Sequence, residues 1–137
     1  MSYDDIVADF EFLDDWEDRY RYVIELGRKL EPLPDEAHND ANKVQGCVSQ
    51  VWLETNIERS GTEPVLHFKG DSDAHIVRGL VYIIMTIFSR KTPQQIVDTD
   101  ATAILTELGL SQHLSPMRTN GLFSMVERIK EIGRSFC

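Results

Sequence analysis

The stretch from Ala74 to Ser89 is apolar on almost every side of a helical wheel, through Ile76, Val77, Leu80, Val81, Ile83, Ile84, Ile87 and Phe88. A helix at a protein surface keeps one polar face, so a helix of this pattern has to be enclosed by the rest of its chain. It is too short to cross a bilayer, which takes about 20 apolar residues, and it carries Arg78. The chain must therefore wrap a central buried helix.

The segments available for wrapping can be read in order. Ile6, Phe10 and Leu13 share one face of a short helix. Asp14 and Asp15 offer N-caps for a second helix with the inner face Trp16, Tyr20, Val23, Gly27 and Leu30, which Pro32 and Pro34 stop. Residues 31–43, rich in Pro, Asp, Asn and Ala, read as a loop. From Ser49 to Ile57 the period changes to two: Ser49, Val51, Leu53, Thr55 and Ile57 point one way, and Gln50, Trp52, Glu54, Asn56 and Glu58 the other. A turn at Arg59-Ser60-Gly61-Thr62 leads to a second alternating run, Val65 to Lys69, with Leu66 and Phe68 on one side and His67 and Lys69 on the other. This is an antiparallel hairpin, to which Val44-Gln45 adds a short upstream piece. A sheet of two or three strands cannot stand alone, so helices must cover one face.

Gly70-Asp71-Ser72-Asp73 reads as a turn ending in a cap for the central helix. Thr92-Pro93-Gln94-Gln95 is a capping box with Pro at the first helical position, opening a short helix through Val97. Asp100 caps another helix, which ends at Gly109. Ser115-Pro116-Met117-Arg118 starts the last, whose stripe is Leu122, Met125, Val126, Ile129 and Ile132. The expected architecture is one α+β domain over residues 1–137, a small antiparallel sheet covered by helices.

A chain of 137 residues is the size of one domain, and should bury roughly 68–70% of its unfolded surface without disulfide or metal. A net charge of −9 argues against a nucleic-acid partner, which calls for clustered Lys and Arg, and fits a partner with a basic patch. The N-terminus, Met1-Ser2-Tyr3-Asp4-Asp5, lacks the basic and apolar regions of a secretory signal, and no segment suggests a membrane partner. Only Cys47 and Cys137 are cysteines, too few and too far apart for a disulfide framework, so a reducing, cytoplasmic setting is the simplest expectation.

Composition also narrows the chemistry. His38, His67, His75 and His113 are scattered and no cysteine pair has zinc spacing, so no metal is expected. No Gly-rich loop precedes a Lys, so no nucleotide cofactor is expected either. Asp71 and Asp73 could do acid–base work or hold a cation, but a turn and an N-cap beside a helix dipole is the better-supported role. Arg118 would suit a surface salt bridge, or would attract a carboxylate or thiolate. That leaves Cys47, in Lys43-Val44-Gln45-Gly46-Cys47-Val48-Ser49-Gln50-Val51-Trp52. Most free cysteines are small buried hydrophobes. Against that reading stand the Gly46 pivot, the position where a loop enters a strand, and the polar neighbours Gln45 and Ser49. Residue physics leaves both readings open. A Cys–His hydrolase would further need one of the four histidines to come close through folding.

The segment Val44 to Trp52 resembles the signature of the SufE family, sulfur acceptors and activators of cysteine desulfurases in iron–sulfur cluster assembly. Three further stretches resemble the family in order: Tyr22-Val23-Ile24-Glu25-Leu26-Gly27; Gly70-Asp71-Ser72-Asp73-Ala74 with Ile76-Val77-Arg78-Gly79-Leu80; and His113-Leu114-Ser115-Pro116 with Arg118 and Gly121-Leu122. The resemblance implies a fold similar to the IscU-type cluster scaffolds. It implies that Cys47 is the persulfide carrier, with Gln45, Gly46, Ser49 and Arg118 in support or at the partner interface. The implied partners are a pyridoxal-phosphate cysteine desulfurase, of the SufS or CsdA kind, and a downstream cluster scaffold. The chain itself would hold no cofactor and no metal, and would act as an accessory protein without independent turnover. The alternatives are a cluster scaffold of similar fold, which the shortage of cysteines disfavours, and the thiol hydrolase. A carried persulfide needs shelter from reductants and oxidants, so the Cys47 loop is expected to be closed in the free protein and to open on docking.

Overall fold

In the computed structural model, which describes residues 2–47 and 49–137 (for Ser111 the backbone alone), the apolar segment forms α3 (His75–Phe88) at the centre. Ile83, Ile84 and Phe88 have no exposed surface, and each such side chain contributes about 1.5–3 kcal/mol relative to an exposed one. Val48, part of the expected signature, lies outside the described residues.

Around α3 stand α1 (Tyr3–Phe12) and α2 (Trp16–Gly27) on one side and the hairpin of β1 (Val51–Glu58) and β2 (Val65–Ser72) on another. The chain is completed by a short 3-10 turn at Asp35–Ala37, then α4 (Pro93–Asp98), α5 (Ala101–Glu107), α6 (Leu110–His113) and α7 (Pro116–Ser135). This is an α+β fold with one core, fed by every α-helix and both strands. α2 and α3 pack closely enough that a Cβ on Gly79 would lie 1.9 Å from the Val23 carbonyl oxygen. That approach explains why Gly27, opposite Gly79, belongs to the inner face of α2.

Local signals behave as expected. Asp15 caps α2, Asp100 caps α5 and Ser115 caps α7, each through its side chain. Thr92 and Gln95 close the capping box of α4, and Gly109 sits at φ 73° after α5. α6 follows it, too short for any periodicity to have announced it.

The sheet differs in detail. β1 pairs antiparallel with β2 from Val51↔Ser72 to Glu58↔Val65. Gly70, Asp71 and Ser72 are thus strand, not turn. Leu66, Phe68, Gly70 and Ser72 all face inward, but the last two carry no apolar signal. Gly70 is small because Val81 Cγ1 lies 2.6 Å from where its Cβ would be. β1 starts at Val51, two residues later than expected at Ser49. The upstream piece pairs through Lys43↔Trp52. Val44 N–H donates to the Val51 carbonyl (2.8 Å) and Leu53 N–H to the Asn42 carbonyl (2.8 Å). Ile57, on the same side as the buried Val51 and Leu53, is 38% exposed, because β1 runs on past the edge of the core.

The expected cap of α3 is also corrected. Ala74 is the N-cap, without a side-chain bond, and Ser72 Oγ accepts from Ala74 N–H at 3.2 Å. Asp73 reaches across instead: its Oδ1 accepts from Gln50 N–H at 3.1 Å. A long-range bond to Gln50, the residue just before β1, has replaced the local one.

Candidate functional site

The chain reaches Cys47 through a backbone reversal. Gly46 has φ +89°, a region that side chains of L-residues rarely occupy, and its missing Cβ would fall 2.6 Å from Ser124 Oγ. Gln45 is exposed and lines a groove with Ser124 and Arg128, while Cys47, after the reversal, is turned inward and half-buried. Its thiol donates to the Gly121 carbonyl of α7 at 3.6 Å, a weak bond.

Beside the thiol lies a cavity of about 150 Å³. Val77 and Leu80 of α3, Val51 of β1, and Leu122 and Met125 of α7 make its apolar wall. Ser49, Ser115 and Arg118 are its polar members, and Met117, 62% exposed, borders it. Burial pushes the Cys47 thiol up from its ordinary pKa, because a thiolate there would lose hydration. Arg118, the cation of the cavity wall, is steered by a hydrogen bond from its Nη1 to the Tyr20 hydroxyl of α2. A positive group at this wall favours a sulfur anion if one forms.

The fold thus gathers Cys47, Ser49 and Arg118 around one cavity, sets Gly46 as the pivot beside it, and turns Gln45 onto a neighbouring groove. Tyr20, Met117 and Gly121 join the site without having been singled out. Their convergence depends on how the first turns of α7 meet Tyr20 and the loop, which no local pattern encodes.

The competing centres are placed elsewhere. Asp71 is held by Arg78 Nε at 3.2 Å and by His38 Nε2 at 2.8 Å. His67 pairs with Glu58 at 2.8 Å, and His113 stacks on Trp16 at 3.9 Å between ring centroids. Among the described residues no histidine lines the Cys47 cavity. Among the described residues no three of His, Cys, Asp and Glu converge as a metal site requires, and no helix is long and apolar enough to cross a membrane.

Comparison with known proteins agrees with this architecture. Among the relatives that the chain matches are two uncharacterized SufE-like proteins. One, from Rhizobium meliloti, is 55% identical over 129 residues, covering 94% of this chain and 92% of the relative. The other, from Rhizobium etli, is 54% identical over 130 residues, covering 95% and 88%. A solution structure of a hypothetical protein from Thermus thermophilus superposes with a TM-score of 0.75 over 98% of this chain and 97% of that one, at 16% identity, which speaks for the fold alone. The family model for the SufE Fe-S metabolism associated domain matches residues 4–133, and with this extent of agreement the chain belongs to the SufE family.

Proposed function

We propose that the protein is the sulfur acceptor and activator of a pyridoxal-phosphate cysteine desulfurase, acting in the cytoplasm as one unit over residues 1–137. The observation that carries this reading is the sheltered position of Cys47, with its thiol turned into an apolar cavity whose wall also holds the Arg118 guanidinium.

In the proposed step the Cys47 thiolate attacks the outer sulfur of a persulfide on the desulfurase. A sulfur–sulfur bond forms at Cys47, the bond to the desulfurase cysteine breaks, and that cysteine leaves as a thiolate. The step is an isoelectronic exchange and needs no external oxidant or reductant. The thiol must first lose its proton, which burial opposes in the free protein. Docking therefore has to supply part of the activation, by moving Cys47 outward on the Gly46 pivot or by drawing Arg118 toward the sulfur. Loaded, Cys47 passes its sulfur to an iron–sulfur scaffold, and pyridoxal phosphate stays with the partner.

The scaffold alternative is poorly supported, since Cys137 is exposed near Gln94 on α4 and contributes nothing to the Cys47 cavity. The hydrolase alternative lacks its histidine there. The test is desulfurase turnover: the wild-type protein should stimulate alanine release from cysteine, and Cys47→Ser should not. Full stimulation by Cys47→Ser would defeat the transfer mechanism.

A further inference from the structure

α7 meets the Cys47 segment along one face, on which Arg118, Gly121, Ser124 and Arg128 recur every three to four residues. The contacts of that face follow the loop in reverse order. Gly121 accepts the Cys47 thiol, Ser124 crowds Gly46, and one turn further on Arg128 reaches the chain upstream. Arg128 Nη2 donates to the Ala41 carbonyl at 2.7 Å and Nη1 to the Lys43 carbonyl at 3.3 Å. A guanidinium offers its donors as a rigid planar fork, so two carbonyls held by one fork are fixed in both position and register. Lys43 is also paired to Trp52 of β1, which pins the same stretch from the other side. Five residues separate Ala41 from Cys47, and the contacts they make with α7 depend on α7 keeping that register.

We propose that Arg128 is a positioning residue: it registers residues 41–47 on α7 and so keeps Cys47 seated in its cavity. Its role in sulfur transfer rests on the acceptor reading above, whereas the seating does not. Without the fork the segment keeps its pairing to β1 but loses its upstream anchor on α7, Cys47 leaves the apolar wall more often, and its thiol regains the hydration that burial denies it. Ser124 and Gly121 alone supply one steric contact and one weak bond.

The test is alkylation of Cys47 by iodoacetamide across a pH series, with Cys137→Ser as background and circular dichroism to verify folding. Arg128→Ala and Arg128→Gln should raise the rate about tenfold and move its pH midpoint down toward that of an ordinary thiol, with Arg128→Lys recovering part of the shift. A change in global stability alone would leave the midpoint of the folded protein in place. Wild-type rate and midpoint in either folded variant, Ala or Gln, would overturn the proposal. Loading by a desulfurase is read separately: altered alkylation, with no protein loaded even as wild type, would uphold the seating and reject the acceptor reading.

Discussion

Replacing Gly46 with Ala should disturb both the stability and the reactivity of the Cys47 loop. An L-residue forced into left-handed backbone costs about 1–2 kcal/mol, and φ +89° lies beyond the most comfortable part of that region. The new Cβ would stand 2.6 Å from Ser124 Oγ, so the hydroxyl must move and give up its bond to the Asn120 carbonyl, worth about 1 kcal/mol. Alanine restricts the unfolded chain and returns about 0.4–1 kcal/mol. The net loss is about 1–2.5 kcal/mol. Urea unfolding followed by the fluorescence of Trp16 and Trp52 measures it, and iodoacetamide alkylation shows whether Cys47 has moved. Adding Ser124→Ala should recover the steric share and leave the backbone share, since Ser124 Cβ lies 3.4 Å from the new methyl. An unfolding midpoint and an alkylation rate both equal to wild type would refute the reasoning.

Three further predictions follow from other parts of the molecule. Gly79→Ala gains about 1 kcal/mol of helix propensity. Even so, it should destabilise by about 3 kcal/mol, because its Cβ meets the Val23 carbonyl at 1.9 Å and α2 must retreat; unchanged urea stability would contradict the packing. His38 donates from both ring nitrogens only when protonated, and its partners are two acceptors, Asp71 (2.8 Å) and the Pro34 carbonyl (3.0 Å), which raise its pKa. Its stabilisation is therefore complete below the ordinary histidine value near ~6.5 and lost as pH rises through the raised value, so His38→Gln should cost more stability at acidic than at alkaline pH; an equal cost at both would count against this. Finally, Cys47 alkylation in the free protein should titrate above the ordinary thiol value, as burial dictates, and a midpoint below it would show a sheltered thiolate instead.

What was legible in the chain was local. The α3 pattern needed only its own residues, and Thr92 with Gln95, Asp100 and Ser115 cap the helices that follow them at once. Ser2 with Asp5 makes the same kind of box for α1 and was readable by the same rule. Illegible features were decided by distant partners. Asp73 looked like a cap and instead binds Gln50; Gly70 looked like part of a turn because the inner face of β2 leaves no room for a Cβ under Val81. The site divides along the same line. Gly46 beside Cys47 pointed to an exceptional backbone, which φ +89° is. That Gln45 would turn away, while Tyr20, Met117 and Gly121 turned in, depended on the crossing of α7 over the loop.

The central claim is that Cys47 receives sulfur from a persulfide. Incubation with a cysteine desulfurase, pyridoxal phosphate and cysteine, followed by mass spectrometry of the peptide containing Cys47, tests it most directly. The account predicts a gain of one sulfur atom on Cys47, removed by reductant and absent from Cys47→Ser. A desulfurase stimulated by the wild-type protein while Cys47 gains no sulfur would contradict it.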